Sequence, residues 1–206
     1  MLFNTLALIS LLIIITLLKR LVNIYPSLVA CIIRWKENVN LQMSVKLSTD
    51  RNLLAISMII PFCLTVYRFG LYRPEFMADM NEAAGVGATI GIFVAYMLTR
   101  RLCYIMARPR KASQTTYRTS ASASYTFFII LALLLLATGG VLSFFDVNPD
   151  TIKTAMIWIS ACIYAIFMLR CAQIFASSYN LFIVFLYLCA LEIIPTGILV
   201  ISAIIF

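Results

Sequence analysis

The sequence predicts an all-α fold, a polytopic transmembrane bundle of about six spans with both termini on the outer side. Three observations carry this. Apolar residues make up 63% of the 206 residues and charged residues 12%, with a mean hydropathy of +1.01, against about half and a quarter in soluble domains. The apolar residues fall into runs close to the ~20 residues a helix needs to cross a bilayer. The basic residues collect in alternate connecting segments, as membrane topology requires. At this span length the chain forms one membrane domain, 1–206, without a separate soluble one.

The first run, 2–18, has no positive charge ahead of it and is followed by Lys19 and Arg20. A cleaved signal peptide carries its charges on the other side, so this is a retained span. Leu21, Ile24, Leu28, Ile32 and Trp35 continue at helical spacing past Pro26. An amphipathic helix on the inner surface and a bent continuation of the first span both fit. Val39, Leu41, Met43, Val45 and Leu47 then alternate with Asn40, Gln42, Ser44, Lys46 and Ser48, a period-two pattern that predicts a strand. Such a strand either pairs by its edge with another subunit or lies as an extended loop on the surface. Asp50 is placed to cap the second span, 53–71, which carries Pro61 mid-span and Arg68 towards its outer end.

The third span, 83–98, sets Ala83, Gly87, Gly91 and Ala95 four apart. This small-residue stripe admits a close helix backbone, and a helix of the same chain is the expected neighbour. Segment 99–124 carries Arg100, Arg101, Arg108, Arg110, Lys111 and Arg118 and no acid. It reads either as the topogenic signal alone or as a patch for anionic lipid or an acidic partner, at about 1 kcal/mol per basic residue near the surface. The fourth span, 125–145, ends at a turn where Asn148 precedes Pro149, a helix-cap pattern. The fifth, 151–169, is closed by Arg170, and the sixth is 179–206.

With segments 19–52 and 99–124 and Arg170 in the cytoplasm, thirteen of the sixteen basic residues lie inside. Arg68, Arg73 and Lys153 lie outside with five of the eight acids. The inverted topology would violate the positive-inside rule.

Within the spans, Glu192 is the residue that most needs explaining, because a carboxylate in a membrane run must face other helices and find a partner or a proton. Pro195 follows three residues later and cannot donate to the carbonyl of Leu191, so the helix is expected to open beside the carboxylate. If the span starts at Tyr179, Glu192 is ~20 Å along it, in the outer half and level with Arg68. That depth predicts an intramembrane pair of Glu192 and Arg68. In the competing arrangement Arg68 reaches the outer surface to meet Glu75 or Asp79, and Glu192 is protonated.

No histidine occurs, and none of the six cysteines forms a C-x-x-C pair, so the usual zinc spacings and imidazole bases are ruled out. The chain shows no glycine-rich phosphate loop and no nucleophile elbow. We therefore expect no catalytic, cofactor-binding or metal-binding residue. Basic residues confined to membrane-flanking segments also argue against a nucleic-acid partner.

The run Phe185-Leu-Tyr-Leu-Cys-Ala-Leu-Glu-Ile-Ile-Pro195 resembles the carboxy-terminal signature of an uncharacterised multi-helix inner-membrane family of Bacteroidetes, a domain of unknown function. The resemblance implies a bacterial inner membrane and brings no activity. The first function expected is a non-catalytic integral subunit or accessory factor of a larger inner-membrane assembly, in envelope biogenesis or protein export. Its partners would be membrane lipids and other inner-membrane subunits. The alternative is a small proton-coupled transporter using Glu192 in a proline-broken helix. An intramembrane enzyme ranks last, kept in view by Cys189 one turn from Glu192.

Overall fold

A computed structural model describes residues 2–77, 79–106 and 114–205. Among these residues the fold is all-α, with no strand. The order is α1 (Leu2–Ile33), α2 (Trp35–Met43), α3 (Val45–Ser57), α4 (Ile59–Arg68), a 3₁₀ turn (Glu75–Met77), α5 (Glu82–Met106), α6 (Gln114–Phe144), α7 (Pro149–Ala176) and α8 (Leu181–Leu188). A π-helical turn (Cys189–Ile193) and α9 (Ile194–Ile205) complete it. Six helical segments are long and apolar enough to cross a membrane, with α3 and α4 forming one of them and α8, the π turn and α9 another. The chain is therefore a multi-pass membrane protein.

Local chemistry sets most boundaries. Asn148 caps α7 by accepting from the Asp150 amide at 3.0 Å, and Pro149 occupies the first turn, where its missing N–H costs nothing. Gly70 follows α4 at φ 60°, a left-handed position natural to glycine just past a helix end. Helix α1 passes Pro26 without a break, so residues 21–33 continue the first span. It stops where Arg170 of α7 bonds its last carbonyls: Nε and Nη2 donate to Ile32 O at 2.9 and 2.7 Å, and Nη2 also to Ile33 O at 3.0 Å.

The strand expected over 39–48 is absent. Two helices meet there at Ser44, which is extended and accepts from the Leu47 amide at 3.5 Å. A lone strand would leave its backbone donors and acceptors unpaired in a helical bundle, whereas two short helices satisfy them internally. Asp50 caps nothing either. It lies inside α3 and pairs with Arg20 of α1 at 2.8 Å. Below it, Arg51 is buried, and its Nη2 donates to Gln42 and Asn52 at 2.9 Å.

The polar segment 99–124 is also largely helical, because α5 runs on to Met106 and α6 begins at Gln114. Thr119, Ser120, Ser122 and Thr126 of its Ser/Thr-rich part are buried. Arg108, Arg110 and Lys111 lie outside the described residues. The main core joins Ile24, Leu28 and Cys31 of α1 and Leu54 of α3 to Phe127 and Ile129 of α6 and Phe167, Cys171 and Ile174 of α7. Here the hairpin of α6 and α7 is the most extensive helix pairing.

The stripe on α5 departs from expectation as well. Ala83, Gly87, Gly91 and Ala95 are all exposed, and a Cβ built on Gly87 or Gly91 meets nothing within 4 Å. Close packing occurs at Gly85 instead, where a Cβ would lie 2.6 Å from the Tyr67 ring of α4. The rotation of α5 follows from its polar residues. Thr89, Arg100 and Tyr104 are buried, and turning an arginine towards lipid costs more than close packing of glycines returns.

Candidate functional site: a buried carboxylate in a π turn

Pro195 shapes the site locally. It has no amide to bond the Leu191 carbonyl, and its ring excludes that carbonyl from a regular turn. The chain before it widens into the π turn Cys189–Ile193, closed by the Ile194 amide on Cys189 O. Glu192 sits in this turn and is 1% exposed. Such bulges can re-aim a side chain within an otherwise regular helix. Pro61 marks the other irregularity. Having no amide, it cannot donate to the Ser57 carbonyl, and α3 ends at Ser57 with α4 restarting at Ile59.

The partner of Glu192 is Arg100, not Arg68. Arg100 Nη2 donates to Glu192 Oε1 at 2.6 Å, and the Tyr104 hydroxyl donates to the same oxygen at 2.6 Å. The Arg100 guanidinium lies over the Phe167 and Tyr104 rings, 5.2 and 5.6 Å from their centroids, a placement that favours a desolvated cation. The Tyr164 hydroxyl donates to the backbone carbonyl of Glu192 at 3.3 Å. One turn on, Tyr96 and Thr196 share a hydrogen bond of 3.1 Å. Helices α5 and α7 and the π turn are thus tied together by one polar cluster.

Two polar atoms in the cluster keep unused capacity, Glu192 Oε2 and Arg100 Nε, both buried and without a hydrogen-bond partner. Chemically the arrangement is a charge-neutral pair held by charge-assisted bonds in a low-dielectric setting, with one acceptor and one donor to spare.

Arg68 lies elsewhere. It closes α4 and lines a pocket with Asp146 and Val147 of the α6–α7 turn, at the end of the bundle opposite the α5 C-terminus. Glu192 and Arg68 are not level because the helices are longer than the hydrocarbon is thick. α5 has 25 residues, α7 has 28 and α1 has 32, against the ~20 needed. Distance from a helix start then overstates depth, and Glu192 sits towards the end where the basic segments gather.

Arg100 consequently leaves the basic patch. It is 7% exposed and engaged inside the bundle, while Arg101 and Arg118 remain exposed. Tyr96 and Tyr104, not among the residues expected at the site, flank Arg100 at i−4 and i+4 on one face of α5. That spacing of polar residues in an apolar helix was a usable signal.

Among the described residues no group of histidine, cysteine, aspartate or glutamate could hold a metal ion. A family described as a domain of unknown function (DUF4271) matches residues 4–202. No curated protein and no solved structure matches the chain.

Proposed function

The chain belongs to the DUF4271 family, and we propose that it acts as a non-catalytic integral subunit or accessory factor of a larger assembly in a bacterial inner membrane, in envelope biogenesis or protein export. The observation that carries this reading is the outward stripe of Ala83, Gly87, Gly91 and Ala95, all exposed, with no atom of the described residues within 4 Å of a Cβ built on Gly87 or Gly91. Small residues on a membrane helix are where a second backbone approaches, so the stripe is the contact for another subunit. Its orientation in this proposal is N-out and C-out, with the basic segments in the cytoplasm. Arg101 and Arg118 then meet anionic headgroups from the inner side.

The test is gentle detergent extraction of the full chain, followed by native mass measurement and identification of co-purifying proteins. A complex of defined mass that is lost in Gly91→Leu, with the helical content of the chain unchanged, supports the subunit role. Recovery of the wild-type chain only as a free monomer overturns it.

One observation favours a second reading. Glu192 Oε2 has no donor, and its helix widens into a π turn ahead of Pro195, irregular backbone beside a carboxylate of the kind from which transporters build proton sites. Under that reading Glu192→Gln abolishes proton-coupled uptake in reconstituted vesicles and leaves the fold intact. Under the first reading the same substitution lowers stability.

A further inference from the structure

The last span is held in two different ways along its length. Up to and including the π turn it is anchored in the interior. Val184 of α8 and Leu191 of the turn are buried in a core with Tyr104 and Phe175, and Leu188 packs against that core and the main one. Beyond the turn this stops. Among the described residues of α9 only Pro195 is buried, and none belongs to a hydrophobic core. Ile198 and Ile201 are exposed, while Thr196 and Leu199 border a cleft of about 540 Å³ that α4, α5, α6 and α7 also line. The helix lies chiefly against α5. Two side-chain hydrogen bonds tie it to other elements, Tyr96 with Thr196 at 3.1 Å near the turn and Tyr72 with Ser202 at 2.9 Å near the outer end.

The turn from which α9 springs is both fixed and irregular. Leu191 is fully buried, and Glu192 Oε1 accepts from Arg100 and Tyr104 at 2.6 Å each. Pro195 then removes a backbone bond from the next turn, and a π bulge beside a proline is where a helix bends. A held pivot followed by a sparsely packed segment is the arrangement of a hinge with a movable arm. In a bilayer no hydrophobic force presses the arm back, because lipid chains are as apolar as the helix. Its position therefore depends on packing along α5 and on the two hydroxyl pairs.

We propose that α9 is a hinged arm that pivots at the π turn. Tyr96–Thr196 and Tyr72–Ser202 latch it against the bundle, and when these bonds break it swings away from α5 and opens the cleft sideways to the bilayer. The proposal is independent of both functional readings. Ile201 lies about 12 Å beyond the turn at 1.5 Å per residue. A swing of about 20°, the size of a helix kink, moves it by about 4 Å.

The experiment uses the full chain in phosphatidylcholine vesicles, with nitroxides attached through a ketone-bearing amino acid so that the native cysteines are kept. One labelled pair occupies the positions of Ile201 and Trp158, the latter exposed on α7; the reference pair occupies those of Phe185, exposed on α8, and Trp158. Pulsed electron paramagnetic resonance gives the distance distribution of each. The Ile201 pair is expected to show two components about 4 Å apart, and the Phe185 pair one. Tyr72→Phe and, separately, Thr196→Val should each raise the displaced component about threefold, the mean effect of one interhelical hydrogen bond in a membrane, and leave the Phe185 pair unchanged. A single narrow Ile201 component in the wild-type chain overturns the arm, and this decides the matter even if neither variant folds. Unchanged proportions in both variants overturn the latches. Two components in the Phe185 pair overturn the pivot, since the whole span would then move.

Discussion

Removing Glu192 alone should destabilise the protein far more than removing Glu192 and Arg100 together. The carboxylate is 1% and the guanidinium side chain 9% exposed, with Nη2 and Oε1 2.6 Å apart, so each charge is desolvated and depends on the other. In Glu192→Leu the arginine is left buried without a counter-charge. Such losses cost about 3–5 kcal/mol, and about 3 kcal/mol is expected here because a chain unfolded within the membrane already finds substitute partners. Arg100→Met should cost less, about 2 kcal/mol, because Glu192 keeps the Tyr104 donor. The double variant Arg100→Met/Glu192→Leu buries neither charge and should fall within about 1 kcal/mol of wild type. A double-mutant cycle would then give a coupling of about 4–6 kcal/mol, read from SDS-induced unfolding of the solubilised chain by tryptophan fluorescence. A coupling within about 0.5 kcal/mol of zero would refute the inference that these two residues hold α5 to the π turn.

Three further outcomes follow from other contacts. Gly85→Val should lower stability by about 1–3 kcal/mol, because its side chain meets the Tyr67 ring, whereas Gly87→Val should leave the isolated chain within about 0.5 kcal/mol of wild type; both are measurable by the same unfolding assay. Arg170→Met should cost about 2 kcal/mol by removing charged donors from Ile32 O and Ile33 O, and amide exchange should rise in α2 before α6. A reporter inserted at Ser178 should be active on the cytoplasmic side and one at Asp79 on the outer side; the reverse pattern would overturn the proposed orientation.

The residue sequence alone determined the class of molecule. Hydropathy and the length of the apolar runs depend only on local composition, so six membrane-crossing helices, the start of α7 at Asn148-Pro149 and the irregular helix around Pro195 were all legible without coordinates. The need of Glu192 for a partner was legible for the same reason, because the cost of a carboxylate in an apolar run does not depend on the fold. Its choice of partner depends on helix depth, rotation and overshoot, none of which is local. Reading the third span as ending at residue 98 put Arg100 in a basic loop, when α5 continues to Met106 and carries Arg100 and Tyr104 inward. The period-two pattern over 39–48 misled in a similar way. Alternation in ten residues reflects which side chains are apolar, while the backbone takes the form that pairs its own amides, here two helices hinged at Ser44. The burial of Arg100 likewise fixed the rotation of α5 and left the glycine stripe facing outward, a consequence of helices competing for one interior that no single segment encodes.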